Sequence, residues 1–262
     1  MLNFESKEQY TVDDLVRLLR LLRGPGGCPW DREQTHESIR RNFLEEAYEV
    51  VEAIDEKDRT HLCEELGDVL MQVIFHAGIE EDAGGFALDD VADMTCRKLL
   101  HRHPHVFGEE TAGSAAEVLV KWDEIKRAER GQKTASSAMD TVAKSLPALW
   151  RADKLQSKAR KAGFDWPDIS GALSKLEEEV AELRRAVNGD GDAAEELGDV
   201  LFSAVNVSRF LSLDPEAALG AASDKFIDRF RRVERAAAAS GRAMCDISPD
   251  ELDKLWEDAK HA

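Results

Sequence analysis

The sequence predicts an all-α protein built from two homologous helical-bundle domains. The composition is dominated by Leu, Ala, Glu, Arg and Lys, which are good helix formers. Apolar residues recur at steps of three and four, and the sustained alternation that indicates strands is almost absent. A series of short motifs also occurs twice in the same order, which predicts that the two halves share one fold.

The first half follows a regular succession of helical patterns separated by short breaks. Helices are predicted near residues 12–23, 36–56, 60–82, 88–101 and 116–130. Short breaks between such helices favour antiparallel packing, so this half is expected to form a bundle.

The second half repeats the plan. An amphipathic helix is predicted here, with Ser170 as its N-cap and the turn 188–191 at its end. Its apolar residues recur at steps of three and four: Leu173, Leu176, Val180, Leu183 and Val187. The next helix, near 192–211, carries Leu197, Val200, Leu201, Ala204 and Val205. Asp214-Pro215 opens a helix to about residue 239, and a last short helix contains Trp256.

The repeated motifs define the domains. The heptapeptide Glu-Glu-Leu-Gly-Asp-Val-Leu stands at 64–70 and, unchanged, at 195–201. A Trp and Glu-Glu-x-x-Glu precede each copy, and Lys-x-x-x-Arg and Trp-x-x-x-Lys follow it. We therefore predict homologous domains at residues 1–130 and 145–262, of a size that suits an independent core. Residues 131–144 are small and polar with no apolar stripe, as is typical of a linker.

Charge and composition exclude several classes of function. The net charge of −18 opposes binding to nucleic acid or to an anionic membrane surface. The N-terminus lacks the apolar segment of a signal peptide, and no apolar run approaches the roughly 20 residues that span a bilayer. Four scattered cysteines indicate reduced thiols. A cytoplasmic protein is expected.

Paired carboxylates are the candidate chemical groups. Residues three or four apart share a helix face, so Glu179 with Glu182, and Glu196 with Asp199, should each project together. Antiparallel packing of the two helices would bring all four acids to one place. The first half offers the same set as Glu46, Glu49, Glu65 and Asp68. Gly67 and Gly198 inside these motifs suggest a close approach of a helix or a ligand.

Such acids would repel one another unless a cation neutralised them. Mg²⁺ fits a site of oxygen ligands without Cys or His, with Mn²⁺ as a substitute. An ordinary solvated acidic face is the alternative for a single motif, and its repetition favours the metal site. A di-iron bundle would need Glu-x-x-His on two helices, and only Glu33 with His36 matches. The alternating His101, His103 and His105 suggest either a metal clip or, more simply, a turn around Pro104.

The combined motifs resemble the MazG nucleoside triphosphate pyrophosphohydrolases. The resemblance is carried by the Glu-Glu-x-x-Glu and Glu-x-x-Asp pairs, by GCPWD (27–31), RHPHVF (102–107) and KWDEIK (121–126), and by SLPAL (145–149). It covers nearly the whole chain. It implies an all-α NTP pyrophosphatase fold, Mg²⁺ dependence, a homodimer and action on many nucleoside triphosphates.

The resemblance also implies roles for particular residues. The second domain would be the main catalytic centre, with Glu179, Glu182, Glu196 and Asp199 as its metal ligands. Lys175, Lys225 and Arg229 stand where that family contacts phosphates, and Trp256 where it contacts the nucleotide. Asn42 occupies the first-half position of Lys175, so the first site is expected to be weaker, differently selective or regulatory.

The expected reaction is attack of water on the α-phosphorus with pyrophosphate as the leaving group. Glu178 and Glu195, the extra acids beside the ligand set, are candidate general bases. The stretch 24–27 lacks the Gly-Lys-Ser/Thr ending of a P-loop, and no Gly-x-Ser-x-Gly elbow is present. Two alternatives stay open: a non-enzymatic helical protein that binds nucleotides or a partner, and an enzyme of this fold with a narrower substrate, such as dUTP or a phosphoribosyl adduct of ATP.

Overall fold

The computed structural model describes residues 3–129 and 134–261, and it confirms the all-α prediction: within these residues no strand occurs. The helices of the first half are α1 (Val12–Arg23), α2 (Pro29–Glu33), α3 (His36–Glu56), α4 (Arg59–Asp82), α5 (Leu88–Arg102), α6 (Pro104–Phe107) and α7 (Ala115–Glu129). The second half contains α8 (Ala135–Met139), α9 (Ala148–Lys161), α10 (Ile169–Val187), α11 (Ala193–Phe210), α12 (Pro215–Ala239), a 3₁₀ turn (Met244–Asp246) and α13 (Pro249–His261).

Contacts divide the chain into two compact units, the first ending at Ile125 and the second starting at Lys126. The stretch 131–144, predicted to be a linker, includes the short helix α8, which Thr134 caps by accepting a hydrogen bond from the Ser137 N–H. Residues 130–133, the remainder of that stretch and the end of the predicted helix 116–130, lie outside the described residues.

The first unit is organised around α3 and α4. Lys57 turns the chain with a left-handed backbone (φ 60°), and the Asp58 carboxylate then accepts hydrogen bonds from the first N–H groups of α4. The core lies toward the start of α3 and the second half of α4, where α1 packs against them; its buried members are Leu19, Ile39, Ile74 and Phe75. The acidic motifs therefore lie outside the densest packing.

In the second unit, α10 and α11 form the equivalent pair, with α9 and α12 against α11 and α13 against α12. The predicted N-cap Ser170 is wrong. Asp168 caps α10, because its carboxylate accepts a hydrogen bond (2.8 Å) from the Ser170 N–H. Asp192 caps α11 in the same way as Asp58 caps α4.

The buried face of α10 differs from the predicted apolar stripe. Ala172, Glu179 and Ala186 are buried, whereas Leu173, Val180 and Val187 are exposed. α10 packs against α11, and the larger apolar side chains of the stripe lie on its exposed side. On α11, Val205 is buried, whereas Leu197 and Leu201 are about half exposed.

A buried arginine anchors the segment ahead of the acidic helix pair in each unit. Arg209 on α11 binds both carboxylate oxygens of Asp165. In the first unit, Arg23 on α1 donates to the Asp31 carbonyl oxygen (3.0 Å). Gly78 is the first-unit equivalent of Arg209, because both stand the same number of positions after the repeated heptapeptide. The absence of a side chain at Gly78 leaves room for Arg23, which would lie 3.4 Å from an added Cβ. The two units thus place the guanidinium on different helices.

Candidate metal and nucleotide site

Three acids of the second unit converge between α10 and α11. One carboxylate oxygen each from Glu179, Glu196 and Asp199 lies within 4.8 Å of the others. Glu179 is buried, Glu196 is half-buried and Asp199 is exposed, so the group faces outward from a buried base. Glu182 is not part of this group, because its carboxylate accepts a hydrogen bond from Arg185 (2.9 Å). The structure thus brings together three of the four predicted ligands.

Lys175 pairs with the buried acid of this group. Its Nζ lies 2.8 Å from one carboxylate oxygen of Glu178 and 2.8 Å from one of Glu179. These hydrogen bonds, first that to Glu178 and then that to Glu179, raise the pKa of the Lys175 ammonium above its ordinary value, although partial burial opposes them. Lys175 therefore places a positive charge against one of the converging acids.

The charges of the group act on Glu196. Burial raises the pKa of Glu196, and the neighbouring carboxylates of Glu182, Glu179 and Asp199 raise it further. Glu182 therefore lies close enough to act electrostatically on the group even though it is turned toward Arg185. A divalent cation would relieve this repulsion.

The first unit holds the matching group between α3 and α4. Carboxylate oxygens of Glu46, Glu49 and Glu65 lie within 4.8 Å of one another. Burial raises the pKa of Glu46, and a hydrogen bond with Glu49 and the charge of Asp68 raise it further. Burial and the charge of Glu49 likewise raise the pKa of Glu65. Asp68, the fourth predicted ligand, is outside the group but acts on it through its charge.

The first group has a different neighbouring base, which sequence reasoning missed. The His61 Nε2 lies 3.2 Å from a Glu65 oxygen, and its Nδ1 lies 3.5 Å from Glu56. Burial lowers the pKa of His61, but the charges of Glu65 and Glu56 outweigh it and leave the pKa raised. The signal was present in the sequence, because His61 precedes Glu65 by four residues on one helix. Asp192 stands at the matching position of the second unit.

The two motif glycines do not serve a close helix approach. A Cβ added at Gly67 or at Gly198 would meet no atom within 4 Å. The predicted close approach of a helix at these glycines is therefore wrong for contacts within the described chain. Each glycine instead leaves open space next to its acidic group, which agrees with the alternative of an approaching ligand.

The two candidate bases lie beside the second group. Glu178 is exposed and bound to Lys175. Glu195 lies in the first turn of α11, and its charge contributes to the raised pKa of Glu196. Both acids are therefore adjacent to the converging ligands without belonging to them.

The predicted nucleotide contacts gather between α12 and α13. The ring of Trp256 lies 5.2 Å from that of Phe226 and about 6 Å below the Arg229 guanidinium. A basic pocket adjoins them, lined by Lys225, Asp228, Arg229, Arg232, Ala259 and Lys260. Trp256 is half-buried, so it is neither a core residue nor a free surface side chain.

Within the described part of the chain, neither alternative metal site forms. Glu33 ends α2 whereas His36 begins α3, so the pair cannot present one helical face as a di-iron motif requires. His36 instead binds His76 (Nδ1 to Nδ1, 2.8 Å) and Glu80 (2.9 Å). In the described residues, the histidines of 101–105 form no group of three metal-ligand atoms; the His103 Nδ1 contacts the Leu99 carbonyl oxygen.

The donor sets of both groups fit a hard divalent cation. Each offers three carboxylate oxygens and neither includes sulfur or imidazole, the donors that soft metals prefer. Each group also carries acids whose pKa is raised by burial and mutual repulsion, the state that a bound cation would reverse.

Comparison with known proteins matches the two groups to one domain type. The MazG nucleotide pyrophosphohydrolase domain matches residues 34–107 and again 169–233, and each match contains one acidic group. The chain belongs to the MazG family. The predicted enzyme class, a hydrolase acting on acid anhydrides, is thereby confirmed.

Similar proteins extend over almost the whole chain. The "nucleoside triphosphate pyrophosphohydrolase/pyrophosphatase MazG" of Thermotoga maritima is 44% identical over 95% of each chain. A nucleoside triphosphate pyrophosphohydrolase of Escherichia coli is 42% identical over 95% of this chain and 97% of its own. The uncharacterized YabN of Bacillus subtilis is 47% identical over 93% of this chain but only 50% of its own. None of the described helices of this MazG-family chain is long and apolar enough to cross a bilayer.

Proposed function

We propose that this MazG-family enzyme hydrolyses nucleoside triphosphates to the monophosphate and pyrophosphate, with Mg²⁺, chiefly at the second acidic group. The observation that carries the proposal is the convergence of Glu179, Glu196 and Asp199 within 4.8 Å beside Lys175. A triphosphate carries about four negative charges and cannot approach a chain of net charge −18 without local cations. The name of each similar pyrophosphohydrolase points to the same substrate class.

The chain's own residues have separate tasks in this proposal. Bound Mg²⁺ would neutralise the charge of the phosphate oxygens, and the three converging acids would hold it, with Glu182 nearby. Lys175 would exchange its carboxylate partners for phosphate oxygens. That exchange frees Glu178, which then competes with Glu195 as the base that takes a proton from the attacking water.

Broad base tolerance follows from the kind of contacts expected. The pocket that contains Lys225 and Arg229 is suited to phosphates, and its lining is mostly charged. Trp256 would stack on the base, and stacking accepts any base because every base has a π face. Hydrogen bonds to base edges are not required in this scheme.

We further propose a homodimer. Large apolar side chains remain exposed along the acidic helix pair and α12, although α10 and α11 already pack against each other; they include Leu173, Val180, Leu197, Leu201, Phe226 and Phe230. Large apolar side chains exposed on neighbouring helices are typical of an interface. Sedimentation at several concentrations tests it, and a monomer at micromolar concentration would contradict it.

A substrate panel tests the reaction. Canonical and damaged NTPs, dUTP and a phosphoribosyl adduct of ATP are incubated with the protein, in Mg²⁺ or Mn²⁺ and in chelator, and the products are separated. Monophosphate and pyrophosphate from many NTPs, only with metal, would support the proposal. Turnover of dUTP or the phosphoribosyl adduct alone would support the narrower enzyme. Nucleotide binding without product would support the non-enzymatic alternative. A nucleoside diphosphate as product would show that a different phosphate–phosphate bond is cleaved.

A further inference from the structure

The two acidic groups neutralise their charge by different means. In the second unit, the Lys175 ammonium lies 2.8 Å from Glu179, the most buried of the three converging acids. In the first unit, Asn42 stands at the position of Lys175 and brings no charge. There the nearest base is His61, whose Nε2 lies 3.2 Å from a Glu65 oxygen.

We infer that Lys175 is an internal counter-ion that keeps divalent cations out of the second group until a triphosphate arrives, whereas the first group binds a cation without nucleotide. This inference rests on the proposed function for the identity of the cation and the substrate. Its structural basis is the pairing of Lys175 with Glu179: the ammonium lies 2.8 Å from an oxygen of the buried acid, and its positive charge opposes a cation at the same group.

Electrostatics explains the order of binding. A cation entering the second group meets the positive charge of the Lys175 ammonium, 2.8 Å from the buried ligand Glu179. The phosphates of a nucleotide give Lys175 an alternative partner, so metal and triphosphate should bind cooperatively, each favouring the other by the same factor. Hydrolysis would then remove the phosphates and let Lys175 return to Glu178 and Glu179, which would favour release of the metal.

The test measures metal binding rather than turnover. Mn²⁺ binding is followed by electron paramagnetic resonance, with and without a triphosphate whose α–β bridge is a methylene group and so cannot be cleaved. Glu65→Gln disables the first group and leaves the second to be measured alone, and Glu196→Gln does the reverse. Thermal unfolding checks that each variant is folded.

In the Glu65→Gln protein, nucleotide should increase Mn²⁺ affinity by about tenfold or more, which corresponds to about 1.4 kcal/mol. Adding Lys175→Gln should raise the nucleotide-free affinity by a similar factor and reduce the effect of nucleotide. The matched control is Arg184→Gln, which removes the same charge about 2.5 turns away, on the opposite side of α10. It should change the affinity by less than about twofold.

The reciprocal change is made in the first group. In the Glu196→Gln protein, Mn²⁺ should bind without nucleotide, and Asn42→Lys should weaken that binding about tenfold. Unchanged nucleotide-free affinity in Lys175→Gln, or equal effects of Lys175→Gln and Arg184→Gln, would overturn the inference. Failure of the proposed function looks different: no pyrophosphate would form from any NTP, whatever the order of metal binding.

Discussion

Loss of the Arg209 anchor should destabilise the second unit by about 2–3 kcal/mol. The Arg209 side chain is 9% exposed; it binds both oxygens of Asp165, which is 19% exposed, and the Asn206 amide oxygen. Hydrogen bonds to charged groups are worth about 1.5–3 kcal/mol each. Without Arg209, Asp165 would still be partly exposed to solvent and would still accept the hydrogen bond from the Trp166 N–H (3.0 Å). We therefore expect Arg209→Met to cost less stability than the sum of the lost hydrogen bonds.

The assay is urea unfolding combined with hydrogen exchange, which reports on the two units separately. For an m value of about 2 kcal/mol/M, the cost corresponds to a midpoint shift of about 1 M urea, confined to peptides of α9–α11. Arg23→Met is the matched control, and its effect should be confined to the first unit. A double-mutant cycle of Arg209→Met with Asp165→Asn should give a coupling of about 1.5 kcal/mol. A coupling below about 0.5 kcal/mol would refute the anchoring role.

The difference in stability between wild type and Arg209→Met should depend on pH in a definite direction. The hydrogen bond from Arg209 lowers the pKa of Asp165 in the folded state, so the folded protein binds this proton less tightly than the unfolded chain does. Stability from the pair is therefore present above the unfolded pKa of about 3.9 and is lost as pH falls through the lowered value. Wild type and Arg209→Met should converge below about pH 4, and a constant difference down to pH 2 would contradict the ion-pair explanation.

Three further outcomes are expected. Glu182→Gln should reduce triphosphatase activity more than Glu49→Gln, measured as initial rates with Mg²⁺; equal losses would refute the ranking of the two sites. In chelator, the stability of the folded protein should fall as pH rises from about 4.3 through the raised pKa of Glu196, because the folded state holds that proton more tightly than the unfolded chain does. Added Mg²⁺ should cancel this fall, as measured by thermal unfolding. A pH dependence that Mg²⁺ does not change would argue against a cation at Glu196. Gly198→Ala should stabilise the protein by up to about 1 kcal/mol, because the added Cβ meets open space. Gly171→Ala should destabilise it, because the added Cβ would lie 2.7 Å from the indole of Trp166. Urea midpoints that move in the same direction for both variants would show that the space beside the helix does not decide whether alanine stabilises.

Much of the fold was predictable because the signals are local. Helix ends follow from caps and breakers, and the repeated heptapeptide placed both acidic helices correctly. The wrong cap at Ser170 has a local cause as well. Asp168 and Ser170 are both good N-caps two positions apart, and only the hydrogen bond from the Ser170 N–H distinguishes them.

The buried face of α10 was not predictable from periodicity alone. A stripe such as Leu173, Val180 and Val187 indicates an apolar face but not which element covers it. Ala172 and Ala186 take the buried positions instead, and which face is covered is a property of the packed helices rather than of one helix. A stripe left exposed within the chain is the feature that an interface with a second copy would explain.

The acidic groups show how identical motifs acquire different chemistry. Spacing placed Glu46 and Glu49 opposite Glu65, and Glu179 opposite Glu196, because three-residue steps fix a helix face. The counter-charges come from residues outside the motifs, and these differ between the units.

These counter-charges decide what a cation must displace. In the second unit a cation must displace the Lys175 ammonium from Glu179, whereas in the first unit the corresponding residue, Asn42, carries no charge. A duplicated motif can therefore keep the same ligands while its two copies differ in when they bind metal, and the residue one helical turn before the buried ligand, Lys175, carries that difference.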